Sequence, residues 1–87
     1  MEFTFSQADN AYTTPAMKLS GDMFLTLTLP TNGRLAIRKL NDKGRWPVVL
    51  MSKPADRYEI RIYGQTKNQT IKIQTTHRPS TAELDAI

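Results

Sequence analysis

The chain has no cysteine and a single histidine in 87 residues. No disulfide can staple the fold, and thiolate metal sites and cysteine nucleophiles are excluded. His77 alone cannot build a histidine-rich metal cluster. Glycine is scarce, at four residues, and none belongs to a Gly-rich phosphate loop. Walker, His-Glu-x-x-His and Gly-x-Ser-x-Gly patterns are absent. Long apolar runs are also missing. The longest is Val48-Val49-Leu50-Met51, far short of the ~20 residues that span a bilayer, so no membrane partner is expected. The start, Met1-Glu2-Phe3-Thr4-Phe5-Ser6, carries an acid where a signal peptide carries base, and no apolar segment follows. These gaps predict a non-enzymatic protein with no cofactor and no metal.

Eighty-seven residues make one domain, 1–87. A chain this short buries only roughly 60–65% of the surface that its unfolded form exposes, so its stability margin is thin. Small folds compensate with disulfides, a metal or oligomerisation. The first two are excluded above, which leaves a homo-oligomer as the expectation.

Charge is unevenly placed. The net value is +4. Residues 31–78 hold eleven Lys/Arg against Asp42, Asp56 and Glu59, a net of +8. Residues 1–30 and 79–87 are each at −2. A basic body with acidic ends suits an anionic partner, or self-association of ends against bodies.

Period-two alternation dominates the pattern. Met23, Leu25, Leu27 and Leu29 alternate with Phe24, Thr26 and Thr28. Leu35 and Ile37 alternate with Arg34, Ala36 and Arg38. Tyr58, Ile60 and Ile62 alternate with Arg57, Glu59 and Arg61. Ile71 and Ile73 alternate with Thr70, Lys72 and Gln74. Neighbouring side chains on a strand point to opposite faces, so each stretch has an apolar and a polar side. Phe3–Phe5 and Ala16–Leu19 are shorter strand candidates, with a loop over Gln7–Pro15. Turn chemistry separates the runs. Asn32-Gly33 predicts a hairpin joining 23–29 to 34–40. Asn41-Asp42-Lys43-Gly44, Ser52–Asp56 and Gly64–Asn68 are further turns. Pro47 has no N–H, so the strand around Val48 lies at an edge or begins after it. Ser80-Thr81-Ala82-Glu83 matches a capping box, predicting a short C-terminal helix or a free arm.

Together these predict an all-β fold. The expected form is a small antiparallel β-sandwich, jelly-roll or Ig-like, of six to seven short strands. Residues 1–20 form an N-terminal arm with short strands, 21–78 the core sandwich, and 79–87 a C-terminal tail.

Few residues offer chemistry. The acids sit in turns and tails rather than in a paired arrangement for hydrolysis. His77 lies among Thr75, Thr76 and Arg78 with no nucleophile elbow. Trp46 is the only tryptophan and reads as a core anchor rather than one of several sugar platforms. The basic residues say more. Arg34, Arg38, Arg57, Arg61 and Lys72 all alternate with core positions, so all five point outward. With Phe24 and Tyr63 as outward aromatics, they make a candidate binding surface on one sheet. A basic groove with aromatics is how small barrels hold single-stranded nucleic acid. The same surface equally serves a subunit contact.

Residues 21–76 resemble a loose family of small β-sandwich proteins from tailed-phage virion gene clusters. The shared features are a Gly-x-aromatic/apolar opening strand (Gly21-Asp22-Met23-Phe24) and a Val-x-Leu-x-Arg type of strand (Arg34-Leu35-Ala36-Ile37-Arg38). A Gly-x-Trp turn follows (Asn41 to Trp46), then Tyr58 to Gly64, then a Thr-rich strand (Thr70-Ile71-Lys72-Ile73). Two positions depart from the pattern: Pro47 follows the Trp, and Phe24 occupies a permissive place. The resemblance implies a structural virion protein: capsid decoration, head fibre or tail accessory. It implies assembly in the host cytoplasm, other virion proteins as partners, and no catalytic residues. The alternative from composition is a small basic module that binds single-stranded nucleic acid.

Overall fold

In a computed structural model, described over residues 3–30, 32–63 and 69–87, the chain is an antiparallel β-sandwich with no helix among the described residues. Nine strands appear among the described residues, rather than six or seven. They are β1 (Ser6–Ala8), β2 (Ala11–Thr13), β3 (Met17–Leu19), β4 (Met23–Thr28), β5 (Leu35–Lys39), β6 (Val48–Met51), β7 (Arg57–Ile62), β8 (Gln69–Thr75) and β9 (Thr81–Ala86). The large sheet runs β1-β2-β8-β5-β6, with β3 also pairing β8. The small sheet runs β7-β4-β9.

The core forms where the alternating apolar faces meet. Leu25, Leu27 and Leu84 of the small sheet pack with Leu35, Ile37, Ile71 and Ile73 of the large one. Met17, Leu19, Met23 and Leu29 are also buried. Phe3 and Phe5 pack partly buried against this cluster.

Several further expectations needed correction. First, the chain does reverse between Pro30 and Gly33: Gly33 N–H donates to Pro30 O at 3.0 Å, and Asn32 has φ 67°. The turn does not make a hairpin, however. It carries the chain from β4 in the small sheet to β5 in the large one. Gly33 is needed there because a Cβ would stand 2.8 Å from Leu29 Cβ. Second, residues 7–15 are not a plain loop. They hold a β1–β2 hairpin, turning where Asp9 takes φ 55°. Third, the C-terminal segment is neither helix nor free arm. β9 pairs along its whole length with β4, from Thr28↔Thr81 to Met23↔Ala86. A two-turn helix has no nucleation reserve of its own, whereas β4 offers an open ladder and a core slot for Leu84. The would-be helix cap is redirected: Ser80 N–H donates to Thr28 O at 2.9 Å. The Gly64–Asn68 turn lies outside the described residues.

Tyr58 ties the two sheets at one corner. The 30–33 and 52–56 connections both pass from sheet to sheet there. The buried Tyr58 hydroxyl faces Gly33 O at 2.8 Å and Lys53 O at 2.7 Å, sharing its proton between them. Ala55 N–H also donates to Gly33 O, and Leu29 N–H to Asp56 O. At the other edge Thr14 does similar work. Pro15 interrupts the edge between β2 and β3. Buried Thr14 Oγ1 accepts the Ile73 N–H at 3.0 Å, keeping the central strand β8 satisfied across the break.

Candidate binding surfaces

The pairing registers assign the candidate residues that lie on strands to a face, since residues directly opposite each other share a side of the sheet. On the large sheet, Lys72 lies opposite Arg38, Gln74 opposite Ala36, and Thr70 opposite Lys18. Their neighbours Ile71, Ile73, Leu35 and Ile37 face the core. The outward side therefore collects Arg34, Arg38, Lys72 and Lys18. The six strands of this sheet carry no acidic residue.

Two of these cations are held in place. Arg38 Nε donates to Gln74 Oε1 at 2.9 Å and Nη1 to Trp46 O at 3.0 Å. Lys72 Nζ sits 4.3 Å from the Trp46 ring centroid, within the range of a cation–π contact. The β5–β6 turn sets this up. Asn41 Oδ1 accepts the N–H groups of Lys43 and Arg45, and Gly44 takes φ 75°. That fold of the turn brings Trp46 back beside β5. Beside it, Arg34, Ala36, Arg38, Met51, Gln74 and Thr76 border a shallow depression of about 220 Å³.

Phe24, Arg57 and Arg61 lie elsewhere. They occupy the outer face of the small sheet, on the far side of the sandwich. Phe24 stands between Arg61 and Asp85, Thr26 between Glu59 and Glu83, and Thr28 between Arg57 and Thr81. Arg57 is paired with Glu59 at 3.0 Å. The single stripe of five cations expected from the sequence is thus divided. All five do point away from the core, as their alternation requires, but β4 and β7 belong to one sheet and β5 and β8 to the other. The face of the small sheet mixes both signs, and the face of the large sheet is basic.

A third surface was signalled by a four-residue apolar run and by Pro47, which placed its strand at an edge or after the proline. Among the described residues β6 is an edge strand, paired only with β5. Its first residue follows Pro47, as the missing N–H requires. It carries no charge, and Val48, Val49 and Met51 are exposed, Met51 at 70%. Beside it, Tyr63 is 65% exposed at the end of β7. Between them a cleft of about 310 Å³ opens along the seam of the two sheets, walled by Val49, Leu50, Ile62 and Tyr63, with Lys39 and Arg61 at its rim. No acid lines it.

His77 is exposed after β8. Its Nδ1 is 2.9 Å from the adjacent Thr76 hydroxyl, which also accepts the Arg34 N–H. Among the described residues no group of three or more His, Asp or Glu is placed to hold a metal. No helix among them is long and apolar enough to cross a membrane.

The fold and these surfaces define a small antiparallel β-sandwich with one basic face and one exposed apolar edge. Comparisons with protein-family models, with curated proteins and with solved structures find no match to the chain.

Proposed function

We propose that this protein is a structural association module, a virion component of a tailed phage in a capsid-decoration or head/tail accessory position. It works by binding copies of itself and other virion proteins. The observation that carries this reading is the β6 edge. An unprotected, uncharged apolar edge strand is a template for pairing with another chain, which monomeric proteins normally blunt with charge or cover. Here Val48, Val49 and Met51 are left exposed beside an open apolar cleft. The resemblance to phage sandwich proteins adds the biological setting. Its Arg34–Arg38 segment overlaps β5, its Trp-bearing turn is the β5–β6 connection, and its Thr70–Ile73 segment lies on β8.

Native mass spectrometry of the full chain tests this. The expected result is an assembly of several 9.9 kDa copies, lost in Val49→Asp while circular dichroism stays that of the wild type. A wild-type monomer at micromolar concentration would remove the basis for the proposal.

The basic face supports a second reading, the binding of single-stranded nucleic acid. Four cations, a stacked indole and no acid suit a polyanion. Each phosphate contact contributes about −0.7 to the log–log salt slope for single strands, so the four predict a slope near −3. Lys72→Ala and Arg38→Ala should each reduce it by about 0.7, and Arg57→Ala and Arg61→Ala should not change it. Binding that weakens equally from both faces, or does not depend on salt, would count against this reading.

A further inference from the structure

We infer that the basic face of the large sheet carries a seat for one unpaired base: the depression over Ala36, with Arg38 as its stacking platform and Arg34 as its phosphate contact. This rests on the reading that the face binds single-stranded nucleic acid, and it names where on that face a base goes.

The depression exists because of one small residue. Along the outward row that runs into β5, Ala36 stands between Arg34 and Arg38. Its cross-strand neighbours are Gln74 on β8 and Met51 on β6. A methyl group among long side chains leaves a hollow of about 220 Å³, bordered by these residues and Thr76. No acid lines it. Arg34 and Arg38 start roughly 13 Å apart, four steps along the strand, so they bracket the hollow rather than crowd it.

The polar groups around the hollow differ in what they offer. Arg38 is fixed. Its Nε donates to Gln74 Oε1 at 2.9 Å and its Nη1 to Trp46 O at 3.0 Å. Both bonds lie in the guanidinium plane, so together they set its orientation. A guanidinium plane is a surface on which an unpaired base stacks, and this one is ordered before any ligand arrives, which lowers the entropic cost of binding. The same contact occupies the Gln74 oxygen and leaves Gln74 Nε2 without a partner among the described residues. Thr76 adds an exposed hydroxyl. Both groups can bond the polar edge of a base. Arg34 is exposed, and its side chain has no hydrogen bond or ion pair among the described residues. It is free to take a phosphate.

An aromatic side chain of an acidic peptide is the competing occupant. Its carboxylates would suit the arginines, but its apolar edge would cover Gln74 Nε2 and leave that donor unpaired, which is costly. A base has polar atoms on its edge and avoids this loss.

Fluorescence anisotropy of the full chain with short labelled strands tests the seat. The probes are an oligothymidylate, an oligouridylate and an abasic deoxyribose-phosphate strand, all of one length. At least one base-bearing strand should bind about tenfold tighter than the abasic strand. Ala36→Leu fills the hollow without changing charge, and Arg38→Lys keeps the charge but loses the plane. Each should abolish the preference for bases and leave the salt slope as in the wild type. Arg34→Ala should lower the slope by about 0.7 and keep the preference. Circular dichroism checks folding, and Arg38→Lys carries the test if Ala36→Leu does not fold. If the wild type binds the abasic strand equally well, or if either folded variant keeps the preference, the base seat is wrong and the nucleic-acid reading stands. If an acidic phenylalanine-containing peptide displaces the strand more effectively than unlabelled oligothymidylate does, the hollow is a peptide site and the inference is overturned. If no strand binds at all, both the seat and the nucleic-acid reading fall.

Discussion

Leu84→Ala is the substitution that best separates a C-terminal strand from a C-terminal arm. Leu84 has no exposed surface, lies opposite Leu25 across the β4–β9 ladder, and belongs to the core cluster. Truncating a fully buried leucine removes the transfer energy of the lost carbons and leaves a cavity, together about 3 kcal/mol. A domain of this size has a total stability of roughly 4–13 kcal/mol, so the variant loses a large fraction of it. Near the transition, 1 kcal/mol moves the midpoint of a small domain by about 4–8 °C, which gives a fall of about 12–24 °C. Urea unfolding followed by circular dichroism reads the change, with an unaltered m-value showing that the same surface is exposed. Leu84→Val, at about 1 kcal/mol, covers the case in which the alanine variant does not fold. Exposed Glu83→Ala on the same strand should stay within about 0.5 kcal/mol. A Leu84→Ala loss no larger than that of Glu83→Ala would mean that residues 79–87 are a tail after all.

Tyr58→Phe should cost about 1–3 kcal/mol, because it leaves Lys53 O at the sheet-crossing corner without its donor and Gly33 O with the Ala55 N–H alone. It should also speed hydrogen exchange at Ala55 N–H more than at the β8 amides. Thr14→Val should cost a similar amount by leaving the buried Ile73 N–H without an acceptor, and Thr14→Ser, which keeps the oxygen, should cost less; urea midpoints check both. Gly33→Ala should destabilise by about 1–3 kcal/mol through the clash with Leu29, measured in the same assay.

Side-chain direction was legible in the sequence because it is a local property. The alternation over 23–29, 35–37 and 71–73 names core residues that are all buried, and the cations between such positions do point outward. Strand partnership was not legible. Asn32-Gly33 encodes a reversal of the chain, and a reversal looks the same whether the chain returns in its own sheet or crosses to the facing one. What sends it across is distant: the Tyr58 hydroxyl and the Leu29–Asp56 and Ala55–Gly33 hydrogen bonds. For the same reason the five outward cations could be oriented but not assigned to one sheet, and they divide between two. At the C-terminus two local signals competed. The Ser80–Glu83 spacing favours a helix start, while Ala82, Leu84 and Ala86 keep a period of two. The second prevails because β4 supplies hydrogen bonds and a core site that an isolated turn of helix lacks. Lys18 escaped notice because Met17-Lys18-Leu19 is too short for its alternation to stand out. Pro47 did signal the edge position of β6, but a four-residue apolar run reads equally well as core, so its exposure as a surface was not legible.

The central claim is that β6 is an interface. Hydrogen exchange at Val48–Met51, measured over a dilution series, tests it most directly. Association through this edge predicts that these amides gain protection as concentration rises and lose it on dilution, while amides of the central strand β8 stay unchanged. β6 protection that is the same at every concentration, in a sample that remains folded, would contradict it.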